Sequence, residues 1–236
     1  MSVKERRPMT NPYNESPFNA LPPVVVALAL PILAVELLLG AGARGFLGGP
    51  GAVGWRLDAL RDYAFFGPVL EAMIGTGRWP ASEVSRFVTY PFVHYGFTHM
   101  LMVIVFLLAL GKMVGEVFSA VAVVAIFFAS AVAGALAFTF LTDDPAPLAG
   151  GYPAVYGLIG AYTFILWVRL GQQGAPQVRA FALIGILLAV QLVFGLLFGS
   201  GQQWVAEVAG FCTGFALSFV VSPGGWTRAV ARMRAR

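Results

Sequence analysis

Gly150-Gly151-Tyr152-Pro153-Ala154-Val155-Tyr156-Gly157-Leu158-Ile159-Gly160-Ala161 joins a glycine pair, a proline and a continuous apolar run within one short stretch. Pro153 suits the first turn of a helix, where its missing N–H would be unpaired anyway. Gly157, Gly160 and Ala161 then recur at the spacing that lets helix backbones approach closely in lipid. The stretch reads as the start of a membrane crossing packed against other helices.

Composition agrees. With 58% hydrophobic and 11% charged residues, the 236-residue chain is no ordinary soluble domain. Its apolar runs reach the roughly 20 residues a bilayer-crossing helix needs. Six crossings are expected, at Pro23–Gly42, Phe97–Gly115, Phe118–Leu141, Ala154–Leu170, Val178–Phe198 and Trp204–Val221. The expected organisation is a polar tail (1–22), a six-span membrane domain (23–221) with a long loop (43–96), and a basic tail (222–236). In that loop, Trp55 to Met73 mixes apolar spacing with charge and aromatics, which suits one or two short helices at headgroup depth.

A net charge of +4 raises the question of nucleic acid, but the placement of the charges answers it. Lys4, Arg6 and Arg7 precede the first crossing and Arg228, Arg232, Arg234 and Arg236 follow the last. Lys112, Arg169 and Arg179 stand at the ends of crossings, beside the connectors on that same side of a six-span bundle. The positive-inside rule makes this side the cytoplasm, with both termini there. The long loop carries Arg44, Arg56, Arg61, Arg78 and Arg86 and votes the other way, but long loops count little. No nucleic-acid partner is expected, and the first apolar run reads as an anchor rather than a cleaved signal. The single cysteine, Cys212, excludes an intramolecular disulfide and a cysteine-based metal cluster.

Three separated segments together resemble the rhomboid family of intramembrane serine proteases. The stretch from Gly150 is similar to the family's Gly-x-Ser-Gly at the start of its fourth crossing, with Tyr152 at the serine position and Pro153 at the glycine. His94 and His99, followed by Val103, resemble two histidines and an asparagine at the start of the second crossing. Ala206-Glu207-Val208-Ala209-Gly210-Phe211-Cys212-Thr213-Gly214 resembles Ala-His-x-x-Gly-x-x-x-Gly in the sixth, with Glu207 in place of the general-base histidine. Trp55-Arg56 is similar to a pair found in the family's first loop. The resemblance implies an all-α membrane protein: a six-helix transmembrane bundle of rhomboid type with a long, partly embedded first loop.

It also implies where the chemistry would sit, and there the residues disagree with the activity. Amide hydrolysis by a serine needs a hydroxyl nucleophile, a base and oxyanion donors. Tyr152 offers a phenol whose ordinary pKa is about 10 and whose oxygen projects further than serine's. Glu207 offers a carboxylate, and Val103 donates nothing beside His94 and His99. No catalytic residue is therefore assigned. Tyr152 and Glu207 are read as former catalytic positions, and His94, His99 and Val103 as the former oxyanion region. Tyr156, Gly157, Gly160, Gly210 and Gly214 are assigned to helix packing.

An intramembrane acid is costly unless paired or protonated. Glu207 is expected to accept a hydrogen bond from Tyr152; a ligand or client contact, or proton handling, stays open. Glu36 in the first crossing has no family counterpart and is expected to face the bundle interior or a partner helix. Five-apart spacing puts His94 and His99 off one helical face; a zinc site with Glu207 as third ligand is the alternative, and no metal and no cofactor is expected. A tyrosine nucleophile with a glutamate base exists in glycosidase chemistry, but no sugar site is evident.

The reading is an inactive, rhomboid-like protein of a bacterial inner membrane that contacts membrane lipids and binds transmembrane helices of client or partner proteins. Inactive relatives such as derlins bind such clients, and the resemblance places a lateral opening between the second and fifth crossings. Two alternatives stand beside it: an intramembrane endopeptidase with a non-standard site, and an accessory subunit of a larger membrane complex.

Overall fold

The computed structural model describes residues 20–198 and 201–223. The polar and basic tails, with their clustered Lys and Arg, lie almost wholly outside the described residues. Nine α-helices appear among those described: α1 (Pro23–Ala43), α2 (Trp55–Tyr63), α3 (Gly67–Thr76), α4 (Ala81–Thr89), α5 (Phe97–Gly115), α6 (Ala120–Leu141), α7 (Tyr152–Gln172), α8 (Ala182–Phe198) and α9 (Trp204–Val221). The chain is an all-α, integral multi-pass membrane protein. α1, α5, α6, α7 and α9 are each long and apolar enough to cross a membrane.

The expected fifth crossing differs. It divides into a 3₁₀ turn, Gln177–Phe181, and the 17-residue α8. Pro176 precedes the turn, and the Gln177 amide donates to the Trp167 carbonyl at 2.9 Å, which holds the chain against the end of α7. At 1.5 Å per residue α8 spans roughly 25 Å, so the 3₁₀ turn must help bridge a hydrocarbon core of about 30 Å.

Local signals account for the helix ends. Ser119 caps α6 by accepting the Ala122 N–H at 3.2 Å. Gly77 ends α3 in the left-handed region, at φ 66°. Pro153 sits in the first turn of α7.

α7 is the central helix, with 61% of its apolar window buried against 33–50% for the other four crossings. Burial is continuous from Pro153 to Ala161, as expected of a helix surrounded by others. Glycines make that possible. A Cβ on Gly210 of α9 would land on the Pro153 carbonyl, one on Gly214 on the Gly157 carbonyl, and one on Gly160 on the Phe211 carbonyl. In lipid such close backbone contact replaces the missing hydrophobic drive. Gly111 and Gly115 of α5 likewise seat Val25 of α1 and Pro22 just ahead of it.

The two ends of the bundle are chemically opposite. Toward the C-terminal ends of α7 and α9, rings fill the space: Phe164 to Phe219 at 4.8 Å and Phe181 to Phe215 at 5.4 Å between centroids. At the other end the long loop folds over the starts of α5, α7 and α9. Phe65 and Leu148 exchange backbone hydrogen bonds of 2.9 and 2.8 Å, the sole bridge of β type among the described residues. Tyr90 fixes the loop to the core, its hydroxyl donating to the Ala131 carbonyl at 2.8 Å. Arg86 laces the loop to itself, donating to the Arg61 and Ala64 carbonyls at 2.6 and 2.8 Å.

Candidate functional site

The polar residues singled out in the sequence gather at the loop-covered end, where α5, α7 and α9 begin. The approach to α7 is the tightest part. Gly150 has φ 95°, which L side chains rarely adopt. A Cβ there would also strike the rings of His99 and His94. Glycine is thus required for the chain to pass beside two imidazoles. Its N–H donates to the Tyr90 carbonyl at 2.9 Å.

His94 lies just ahead of α5 and is 1% exposed. Its Nε2 accepts the Gly151 N–H at 3.4 Å, and its ring also interacts with the Phe92 backbone. Burial first, and neighbouring His99 second, push its pKa down to about 3, so the imidazole is neutral. His99, in the first turn of α5, meets the His94 ring edge-on at 5.3 Å. Its Nδ1 is buried without a hydrogen-bond partner. Val103 is fully buried one turn further on, beneath Gly151, and fills space without supplying a donor.

Tyr152 opens α7 and turns its ring to His99, with centroids 5.0 Å apart. Glu207 lies in the first turn of α9 and is 7% exposed. The hydrogen bond expected from Tyr152 to Glu207 does not form. Glu207 accepts instead from the Gln191 amide of α8, and the phenol interacting with it is that of Tyr156, one helical turn beyond Tyr152. The physical reason is height along the axis: Tyr152 and Tyr156 share one face of α7 a turn apart, so the deeper phenol meets the carboxylate while the ring at the helix start lies tilted against His99. Tyr156 therefore combines packing with a polar contact. Gly157, Gly160, Gly210 and Gly214 lie in the α7–α9 interface, with Ser130 of α6 under Gly157.

Glu36, 3% exposed, holds an ion pair within the chain. Arg56 grips it with two hydrogen bonds of 2.7 and 2.9 Å and donates a third, of 2.8 Å, to the His94 carbonyl. The acid of α1 thus anchors the long loop and, through it, the backbone of His94.

Above the site, Tyr95 donates to the Pro147 carbonyl and accepts from the Gln203 amide at 3.4 Å. Burial raises the Tyr95 pKa, keeping the phenol neutral. Asp144 accepts the N–H groups of Ala146 and Gln202, both at 2.9 Å. The connectors before α7 and α9 are therefore joined across the mouth.

Two contributors were not singled out from sequence as site residues. Gln191 is a lone amide in an otherwise apolar crossing, the kind of intramembrane polar residue that signals a partner. Arg56 stood next to Trp55, but nothing in the sequence tied it to Glu36. Chemically, the site offers a neutral histidine pair, two phenols and a carboxylate with neutral donors. No Ser or Thr hydroxyl among the described residues is hydrogen-bonded to His94, His99 or Glu207.

The model of the Rhomboid domain family matches residues 81–224, more than half of the chain. The match runs from α4 through α9 and contains all three segments on which the resemblance rested.

Proposed function

The chain belongs to the rhomboid domain family, and from that premise we propose that it binds transmembrane helices of other proteins without cleaving them. One observation carries this reading: Tyr152, which the resemblance aligns with the nucleophile, lies tilted against His99, while Glu207, aligned with the base, is engaged by Gln191 and Tyr156. Serine-type hydrolysis needs a hydroxyl bonded to its base and free donors for the oxyanion. Here the Gly151 N–H is directed to His94, and Val103 supplies nothing.

Binding asks less of the site. It needs shape and intramembrane polarity at a lateral opening, which the family resemblance puts between α5 and α8. Ile184 is the one buried side chain among those described on α8, while Ile186 and Leu197 are 63% and 69% exposed. α8 is the helix best suited to move aside for an incoming one. The proposed setting is a bacterial inner membrane with both termini cytoplasmic. The accessory-subunit alternative loses its main support, because Arg56 already satisfies Glu36.

The test is labelling of the purified protein with a serine-directed fluorophosphonate, alongside cleavage of a model transmembrane substrate. The expected result is neither labelling nor cleavage, with native copurification recovering membrane-spanning partners. Tyr152→Ser combined with Glu207→His asks whether the scaffold regains chemistry. Cleavage by the unsubstituted protein overturns the reading in favour of a non-standard peptidase.

A further inference from the structure

The cluster around Glu207 is short of donors. Its carboxylate faces the Gln191 amide and the Tyr156 phenol, both neutral. The ion pairs among the described residues join Arg56 to Glu36, Arg61 to Asp58 and Asp62, and Arg86 to Glu83; none reaches Glu207. Gln191 spends its amide on the carboxylate, which leaves its own Oε1 buried without a partner. Two carboxylate oxygens and an amide oxygen thus share one amide group and one phenol as their donors.

We propose that this cluster selects the occupant of the α5–α8 opening, and that the occupant is a transmembrane helix bearing a lysine or arginine near the loop-covered face. The inference rests on the client-binding reading and names the chemistry that the client must carry. A lysine ammonium brings three donors and no acceptor, and an arginine guanidinium five. Either group satisfies Glu207 and the Gln191 oxygen together, and its charge favours the ionised carboxylate. An aspartate or glutamate on the visiting helix would add to the acceptor excess. Glu207 lies three residues into α9 and Gln191 seven from the end of α8. At 1.5 Å per residue the matching base sits about 5–10 Å inside the helix end. A basic residue at that depth is costly in lipid and gains most from a buried carboxylate.

The experiment uses the full chain in phosphatidylcholine nanodiscs. Fluorescent apolar helical peptides of about 20 residues carry one guest, Lys, Leu or Asp, at that depth. Association is read by energy transfer at equal inserted peptide. The Lys peptide is expected to associate about tenfold more tightly than Leu or Asp, in line with a strong intramembrane polar contact. Glu207→Gln should bring Lys and Leu within about twofold. Gln191→Leu removes one of the two acceptors and leaves the carboxylate, so the Lys preference should shrink but persist, whereas a purely structural role for the cluster would weaken binding of every peptide in both variants. Equal binding of Lys and Leu peptides, or a Lys preference that survives Glu207→Gln, overturns the cation assignment and leaves helix binding standing. Failure of all three peptides to associate overturns both.

Discussion

Glu36 in α1 and Glu207 in α9 bury a carboxylate equally well, at 3% and 7% exposure, and they are satisfied by opposite means. Glu36 meets a guanidinium, whose fork matches both its oxygens and still reaches the His94 carbonyl. Glu207 meets only the neutral Gln191 and Tyr156. A fully paired charge fixes a loop and has nothing left to offer. A carboxylate held by neutral groups keeps capacity for a stronger partner. The first region is scaffold; the second is where the proposed exchange of partners would take place.

The largest way to break this contrast is Arg56→Leu. Leaving Glu36 buried without its partner should cost about 3–5 kcal/mol, read as loss of denaturant resistance in micelles. Arg56→Leu with Glu36→Leu should recover much of it, because the uncompensated charge is gone. If the single substitution proves neutral, the scaffold role of the pair fails.

Next in size is the packing on which the Glu207 region depends. Gly210→Leu drives a side chain into the Pro153 carbonyl and should cost roughly 1–3 kcal/mol or more. Thermal unfolding in micelles measures it. A Gly75→Leu control, where nothing lies within 4 Å of an added Cβ, should stay near the parent.

A pH series sharpens the Glu36 side of the comparison, because Arg56 holds the backbone of His94. With its pKa pushed down to about 3, folded His94 refuses a proton that the unfolded chain accepts below about 6.5. Stability should therefore be full above about pH 6.5 and fall on acidification toward 3, by up to about 1.4 kcal/mol per pH unit from this group. His99 and Arg56, which face it, both disfavour its protonation. Denaturant midpoints across that range test this, and His94→Gln should flatten the slope.

The smallest effect belongs to Gln191→Leu, which removes one intramembrane hydrogen bond and should cost about 0.6 kcal/mol. Its signature is local: faster amide exchange in α8, with α5 and α7 unchanged. A global loss as large as that of Arg56→Leu would erase the distinction between the two carboxylates.

Much of the fold was legible. The second and sixth crossings begin and end at the residues expected, Phe97–Gly115 and Trp204–Val221, because long apolar runs bounded by glycine, charge or polar turns leave little freedom in lipid. α4 was not foreseen. Ser82, Glu83, Ser85 and Arg86 make Ala81–Thr89 look like loop, yet Arg86 pairs with Glu83 one turn away at 2.6 Å. The split at Gln177–Phe181 escaped as well, since hydropathy does not register how Pro176 and the Gln177 amide shape the chain.

The candidate site was legible in its identities and not in its pairings. His94, His99, Tyr152 and Glu207 gather at one end of the bundle, as three spaced motifs implied. Which phenol reaches Glu207 depends on how far α7 is shifted along its axis against α9, and which amide reaches it depends on how α8 sits. Glu36 and Arg56 are separated by a turn-rich stretch that sequence alone could not close.

The amino-acid sequence by itself determined that the chain lives in a membrane, where most crossings start and stop, and which functional groups the three spaced motifs carry. Those follow from hydrophobic length and residue type, properties each segment carries alone. Only the tertiary structure decided that Arg56 neutralises Glu36, that Gln191 and Tyr156 take Glu207, and that Tyr152 turns to His99. A hydrogen bond forms or fails within a few tenths of an ångström and a modest angle, and only the packing of whole helices sets either.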